Sequence, residues 1–232
     1  MKIAICSLVW QRPEIFEMFA KGIHALSHPD VQIKVFIAGS EGEKSRKMVE
    51  AQGFSYIEIA NSPLAAKANA PIRLAKEWGA DYVLCTGSDD IMSIELFNMY
   101  VEITKQQPDF VGVTDYYFYD TTTRTAAYWG GYREEYRKGR TCGAFRMLSK
   151  RVLKEWNWKV FENNHSAVLD NSMDQKLRVM DHKSCTFSMK KYGVLAIDVK
   201  SSVNMTPYEL WDNTKKIDPK ILTDKFPYIC AE

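Results

Sequence analysis

The chain of 232 residues lacks several patterns that would identify a protein class at once. No apolar segment approaches the roughly 20 residues that a membrane-spanning helix needs, and the first residues enter an apolar run with no signal peptide. The five cysteines are odd in number and widely spaced, so they suggest no disulfide framework. We therefore expect a cytoplasmic protein that has no membrane partner and keeps its thiols reduced.

Two common phosphate-binding signatures are also missing. No G-x-G-x-x-G follows the first apolar run, and no G-x-x-x-x-G-K-[ST] occurs anywhere in the chain. These absences argue against a dinucleotide enzyme and against a P-loop nucleotidase. The four histidines have no metal-ligand spacing, and a formal net charge of +2 points to no particular partner.

Apolar runs and helical periodicities alternate along the first half of the chain. Strands are predicted at 2–9, 31–38, 54–59 and 82–86, with a helix that Pro13 opens and further helices at 41–52 and 64–78. The third of these helices should kink or restart at Pro71. Such alternation at short intervals predicts right-handed crossovers and a mainly parallel α/β sheet.

The second half has a different pattern, rich in aromatic residues. Strands are predicted at 110–119, 124–129, 141–148, 183–189 and 194–199, with helices at 149–156 and 171–181. We expect one domain over 1–232, with a parallel nucleotide-binding half at 1–107, a mixed-sheet half at 108–200 and an irregular tail at 201–232.

An acidic pair, Asp89 and Asp90, follows the apolar strand at 82–86 directly after Gly87 and Ser88. In open α/β sheets, ligands bind at the carboxyl ends of the strands. Paired carboxylates there supply the hard oxygen ligands that suit Mg²⁺ or Mn²⁺. The alternative is a polar turn in which both carboxylates bind nearby backbone, and spacing alone does not decide between the two.

Other polar side chains follow the early strands and should lie on the same edge of the sheet. They are Ser7, Trp10, Arg12, Ser40, Glu41 and Asn61. Such a set could hold a nucleoside, although each residue taken singly could be a loop residue in water. Lys67 and Asn69 interrupt a run of small residues and could contact a phosphate and a base or sugar; the alternative for Lys67 is an exposed helix lysine.

Two features of the second half admit more than one interpretation. Asp170 and Asp174 lie on one face of a predicted helix, where Asp170 could be an N-cap or either acid a general base. The segment 132–159 carries nine lysines and arginines against three glutamates, with aromatic residues between them. It could form a surface for a polyanion or the solvated face of a helix.

Five stretches together resemble the family-two glycosyltransferases of the GT-A fold. They are the first strand followed by Trp10-Gln11-Arg12-Pro13, Asn61-Ser62-Pro63-Leu64 with Lys67 and Asn69, Gly79-Ala80-Asp81-Tyr82-Val83 leading to Ser88-Asp89-Asp90, the segment 141–150 with Gly143-Ala144, and Asp170-x-x-Met173-x-x-Lys176-Leu177. The resemblance covers roughly 2–181. In the family, the acidic element after the fourth strand binds a divalent metal on the diphosphate of a nucleotide sugar.

The resemblance implies a role for each site residue. Asp89 and Asp90 would bind Mn²⁺ or Mg²⁺, and Asp170 rather than Asp174 would be the catalytic base. Donor contacts would come from Ser7, Trp10, Arg12, Ser40, Glu41, Asn61, Lys67, Asn69, Ser88, Asp89, Lys200 and Ser201. Gly143, Arg140 and Trp129 would contact the acceptor. The implied activity is transfer of a hexose or pentose from a UDP-linked or similar donor, with inversion of the anomeric centre.

The acceptor is the least defined part of this prediction. The short chain and the basic segment resemble phage enzymes that glycosylate a modified base in their own double-stranded DNA, which would place the protein in the host cytoplasm. The alternatives are a transferase for a saccharide or lipid acceptor and a nucleic-acid-binding module without turnover. A sugar nucleotidyltransferase is disfavoured because no Gly-rich loop with an arginine follows the first strand.

Overall fold

The computed structural model describes residues 1–162, 169–201 and 213–230. Its strands are β1 (Lys2–Leu8), β2 (Gln32–Gly39), β3 (Ser55–Glu58), β4 (Tyr82–Cys85), β5 (Asp90–Met92), β6 (Phe110–Val113), β7 (Tyr116–Asp120), β8 (Thr125–Trp129), β9 (Arg146–Ser149), β10 (Ser184–Phe187), β11 (Ala196–Lys200) and β12 (Thr214–Ile217). Its helices are α1 (Pro13–His24), α2 (Glu43–Glu50), α3 (Leu64–Trp78), α4 (Ile94–Thr104), α5 (Lys150–Glu155), α6 (Leu169–Arg178), α7 (Met189–Tyr192) and α8 (Lys220–Thr223).

The larger sheet has seven strands in the order β10-β6-β9-β4-β1-β2-β3. The strands β4, β1, β2 and β3 are mutually parallel, whereas β9 runs antiparallel to both of its neighbours. Ile3, Ala4 and Ile5 of β1 are fully buried, as expected of a central parallel strand covered by helices on both faces. The predicted α/β class with a parallel first half is confirmed.

The smaller sheet has five strands in the order β12-β8-β7-β11-β5. The predicted hairpin is present, because β7 and β8 pair antiparallel with Tyr116 opposite Trp129. The short strand β5 begins at Asp90, the second acid of the pair, and pairs antiparallel with β11. This pairing brings the end of the second half of the chain against the acidic turn of the first half.

One strand predicted at 110–119 is in fact two strands in different sheets, β6 and β7. The chain leaves the first sheet at Asp115, a buried carboxylate that accepts hydrogen bonds from the backbone N–H groups of Met189 and Lys190 and from the Tyr128 and Ser188 hydroxyls. The strand predicted at 141–148 is likewise confined to β9, since Phe145 before it has a positive φ of 54°. Apolar composition marks a strand but does not show where the chain changes sheets.

Helix α3 is continuous from Leu64 to Trp78 and does not restart at Pro71. Its buried residues, including Ala65, Ile72 and Ala75, keep it packed on the sheet. The tail is not only irregular: β12 pairs with β8, and a short 3₁₀ helix covers Pro227–Cys230. Between residues 213 and 230 of the tail, the buried side chains are Leu222, Phe226 and Ile229. The part of the tail from 202 to 212 lies outside the described residues.

All five cysteines are free. In the described ranges of the chain, no helix is both long enough and apolar enough to cross a bilayer.

Candidate functional site

A cavity of about 410 Å³ opens where β1 and β4 end. Its polar lining includes Ser7, Arg12, Thr86, Ser88, Asp89, Asp90, Tyr116, Asp170, Asp198 and Lys200. Its apolar lining includes Leu8, Leu64, Ala68, Pro71, Phe161 and Met173. Residues of both sheets and of helices α3 and α6 therefore meet in this one cavity.

Three carboxylates form a cluster in the cavity. One oxygen each of Asp89, Asp90 and Asp198 lies within 4.8 Å of the other two. The cluster exists because β11 pairs with β5 in a register that sets Asp198 opposite Asp90. Sequence reasoning missed Asp198, and the only signal for it was a single acid within an otherwise apolar strand. Like charges directly opposite each other destabilise a sheet unless a cation compensates them.

Asp90 also builds the turn in which it lies. Its Oδ2 accepts hydrogen bonds from the Gly87 backbone N–H at 2.6 Å and from the Thr86 hydroxyl at 3.2 Å, and its Oδ1 accepts one from the Tyr116 hydroxyl at 2.9 Å. Asp90 therefore does what the polar-turn alternative predicted, because its carboxylate binds groups of its own turn. Burial, with the nearby Asp89 charge, raises the pKa of Asp90 to about 6. A bound cation would favour its ionised form.

Gly87 is required at this turn for steric reasons. A Cβ atom there would lie 2.4 Å from Oδ1 of Asp89 and 2.8 Å from Oδ2 of Asp90. Any other residue would therefore force a shift of these carboxylates, which belong to the cluster.

Two basic side chains partly neutralise the cluster. Arg12 Nη1 lies 2.6 Å from Oδ2 of Asp89, and Lys200 Nζ lies 2.6 Å from Oδ2 of Asp198. Oδ1 of Asp198 is buried and has no hydrogen-bond partner among the described residues. Burial, together with the Asp89 charge, raises the pKa of Asp198 well above its usual range. An orphaned carboxylate oxygen in a set of hard oxygen ligands fits Mn²⁺ or Mg²⁺.

Asp170 lies in the first turn of α6 and lines the same cavity. Its carboxylate rests directly on Gly143, where a Cβ atom would lie 2.3 Å from Oδ2 of Asp170. Gly143, predicted to contact the acceptor, therefore allows Asp170 to reach its position.

Asp174 is held by arginines and is not among the described residues that line the cavity. Arg146 Nη1 lies 3.0 Å from Oδ1 of Asp174, and Arg140 Nη1 lies 3.9 Å from Oδ2. Arg140, predicted on the acceptor side, thus pairs with Asp174. Of the two candidate bases, Asp170 has the carboxylate that lines the cavity.

Arg146 is a buried residue whose role the sequence did not reveal. Its guanidinium donates to the backbone carbonyls of Thr141 at 3.0 Å, Cys142 at 2.8 Å and Asp170 at 3.0 Å. It thereby joins the start of α6 to the segment that contains Gly143. We infer that Arg146 fixes the position of Asp170 relative to the cavity.

Lys67 is neither an exposed helix lysine nor a group that faces the cavity. It is 1% exposed, and its Nζ donates to the Val9 carbonyl at 2.9 Å, the Ser40 hydroxyl at 3.0 Å and Oδ1 of Asn61 at 2.9 Å. Burial lowers the pKa of Lys67 to about 8. The ammonium uses its three donors to tie together the chain segments that follow β1, β2 and β3, so its predicted phosphate contact is not supported.

Two other residues that were predicted to contact the sugar donor, Glu41 and Asn69, hold the same scaffold together. Glu41 accepts hydrogen bonds from the Gln11 N–H at 2.9 Å and the Ser45 hydroxyl at 3.3 Å. Asn69 is buried and accepts from the N–H groups of Val160 and Phe161, both at 3.0 Å. These side chains hold the walls of the cavity in place and are not among its described lining residues.

The remaining predicted residues divide by burial. Trp10 is 44% exposed and is not among the described residues that line the cavity. Trp129 is buried in the core, with its ring edge-on to that of Tyr132. Trp129 is therefore not presented to an acceptor. Ser7 and Ser88 are buried lining residues, and the Ser7 hydroxyl has no hydrogen-bond partner among the described residues. Ser201 is half-buried and follows β11 directly.

Many cations of the basic segment at 132–159 bind groups of the same chain. Arg151 donates to both oxygens of Asp109 at 2.7 and 2.6 Å, and Lys159 pairs with Glu162 at 3.1 Å. Arg137 stacks on the Tyr132 ring at 3.6 Å. The charge excess in the sequence therefore does not correspond to an equal excess of unpaired charge on the surface.

No protein-family model matches the chain, and no curated protein is similar to it in sequence. Solved structures are similar in fold. S. aureus TarS 1–349 in complex with UDP-GlcNAc gives a TM-score of 0.63 at 13% identity over 88% of this chain. The mannosyltransferase PcManGT from Pyrobaculum calidifontis, in complex with GDP-Man and Mn²⁺, gives 0.62 at 11% identity over 90%.

This chain spans 60% of the length of that TarS chain and 59% of that of PcManGT. At such low identity, the similarity establishes the fold and not the activity. The described part of the chain has the GT-A-like fold that the sequence resemblance implies.

Proposed function

We propose that the protein is a metal-dependent glycosyltransferase that moves a sugar from a nucleotide-sugar donor to an acceptor hydroxyl. A UDP-linked sugar is the donor that we propose first. One observation carries this proposal: a carboxylate cluster suited to a divalent cation and a separate carboxylate, Asp170, line the same cavity of a GT-A-like fold. The similar structures named above were solved with UDP-GlcNAc and with GDP-Man and Mn²⁺, which supports the donor class.

The acid cluster is the donor-phosphate end of the proposed site. Asp89, Asp90 and Asp198 would hold Mn²⁺ or Mg²⁺, which when bound neutralises charge on the departing diphosphate. Lys200 and Arg12 add positive charge beside it. The Ser7 hydroxyl is buried and has no hydrogen-bond partner in the described part of the chain, so it can bind a polar group of the donor.

Asp170 is the proposed general base. Its carboxylate would accept the proton of the acceptor hydroxyl as the oxygen attacks the anomeric carbon. Attack opposite the leaving diphosphate inverts the configuration of that carbon. Gly143 and Arg146 contribute by fixing the Asp170 carboxylate, since a displacement of about 1 Å can cost roughly 100-fold in rate.

The proposal on the acceptor is limited to a molecule that presents a hydroxyl group. A hydroxymethylated base in double-stranded DNA is the acceptor that the sequence suggested, although the internal ion pairs of the basic segment lend it little support. Transfer assays with hydroxymethylated DNA, with oligosaccharides and with lipid-linked saccharides separate these acceptor classes.

The decisive experiment measures release of UDP and transfer of sugar from a panel of UDP-sugars, with Mn²⁺ and with EDTA. We expect turnover only with the metal, and loss of turnover in Asp89→Ala and in Asp170→Ala. Asp224→Ala removes an exposed carboxylate and serves as the matched control. Turnover that persists in EDTA would refute the metal requirement, and normal turnover by Asp170→Ala would refute the base.

A further inference from the structure

Arg12 places a positive charge against Asp89, one of the three carboxylates of the cluster. It lies between β1 and α1, and its guanidinium contacts Asp89 at 2.6 Å, while each of the two side chains is about one-fifth exposed. The preceding residue, Gln11, has a positive φ of 53°. The contact joins a loop of the first βα unit to the acidic turn after β4.

The charges of the cluster explain why this contact forms. When the three carboxylates of the cluster are all ionised, the positive charges of Arg12 and Lys200 leave one negative charge uncompensated. A divalent cation on the same carboxylates would reverse the balance. Arg12 would then lie next to a cation and would be repelled from Asp89.

We propose that Arg12 is an exchangeable counter-ion: it binds Asp89 while no divalent cation is present, and it transfers to the diphosphate of the donor when the metal binds. This inference rests on the proposed function. Metal binding would thus deliver an arginine to the phosphate groups, and the metal and the donor would favour each other's binding.

Arg12 is better suited to this exchange than Lys200. Lys200 is 6% exposed, belongs to β11 and lies over the Phe118 ring at 5.6 Å, so moving it would disrupt packing. Arg12 is partly exposed and lies outside the sheet. Its planar guanidinium also matches two phosphate oxygens at once, which a lysine ammonium does not.

Mn²⁺ binding without nucleotide, followed by electron paramagnetic resonance of the free ion, tests the first half of the exchange. Arg12→Ala and Arg12→Gln should each bind Mn²⁺ roughly tenfold more tightly than the wild type, because the competing charge is gone. Arg12→Lys should stay close to the wild type. Arg73→Ala, which removes an exposed arginine of α3, is the matched control and should change nothing.

UDP binding at saturating Mn²⁺, measured by calorimetry, tests the second half. Here Arg12→Ala and Arg12→Gln should bind UDP roughly tenfold more weakly, so that the two ligands respond in opposite directions. A variant that was merely misfolded would weaken both ligands. If variants with normal melting curves bind both Mn²⁺ and UDP more weakly than the wild type, the exchange is refuted.

The outcomes separate this inference from the proposed function. If wild-type Mn²⁺ binding depends on Asp89 but is unchanged in Arg12→Ala, the exchange is wrong and the metal site stands. If the wild type binds no Mn²⁺, or Asp89→Ala binds it equally well, the metal-dependent function and the exchange both fail.

Discussion

Replacing Gly143 by alanine should disable the proposed base while leaving the donor site intact. The added Cβ would lie 2.3 Å from Oδ2 and 2.6 Å from Cγ of Asp170, so the carboxylate must retreat by about 1 Å to reach ordinary contact. No positive φ complicates the substitution, because Gly143 is not among the residues in the left-handed region. The change therefore acts through the position of Asp170.

The expected size of the effect follows from that displacement. A shift of about 1 Å in a reacting group can lower turnover roughly 100-fold, and overpacking a filled site costs about 1–3 kcal/mol of stability. We expect kcat to fall by that factor at saturating donor, with an unchanged dissociation constant for UDP and Mn²⁺. Steady-state transfer kinetics and calorimetry measure the two quantities.

A double-mutant cycle on stability tests the steric cause independently of activity. Gly143→Ala should destabilise the wild type in urea unfolding, but should cost much less in the Asp170→Ala background, where the clashing carboxylate is absent. An equal cost in both backgrounds would refute the reasoning, as would a wild-type kcat in Gly143→Ala.

Two further predictions concern other carboxylates. Hydrogen bonds from Arg151 hold the pKa of Asp109 at about 2, below its unfolded value, so this pair should stabilise the fold above about pH 4 and lose that effect as the pH falls towards about 2. Asp109→Asn should thus cost about 1–2 kcal/mol in urea unfolding at pH 7 but only about a third of that at pH 2.5, where the carboxyl group of the folded state begins to be protonated; an equal cost at both would contradict this. Mn²⁺ should raise the melting temperature of the wild type and of Asp218→Asn, an exposed control, but not of Asp198→Asn; an equal rise in Asp198→Asn would exclude it as a ligand.

Local sequence determined much of the first half of the fold and the starts of helices in both halves. The alternation of apolar strands with amphipathic helices predicts the parallel sheet, because both periodicities reflect burial within one element. Ser93 and Ser149 act as helix N-caps, since their hydroxyls accept hydrogen bonds from the N–H groups three residues on. The place of Asp89 and Asp90 after a buried strand is equally local and was readable from spacing.

Long-range pairing decided the composition of the site. Asp198 joins the acid cluster only because β11 pairs with β5. The sequence around Asp198 does not predict that β5 is the strand with which β11 pairs. Arg146 separates the roles of Asp170 and Asp174 by pairing with one carboxylate and binding the backbone of the other. Spacing along a helix places two acids on one face but does not say which of them an arginine neutralises.

The sequence by itself thus specified the α/β class, the acidic turn and a small set of candidate bases, because each depends on neighbours within a few residues. Only the tertiary structure showed that Lys67 and Asn69 tie the scaffold together and that Trp129 lies in the core. Whether a polar side chain binds a ligand or its own protein depends on which distant acceptors lie within about 3 Å of it, and the fold alone sets those distances.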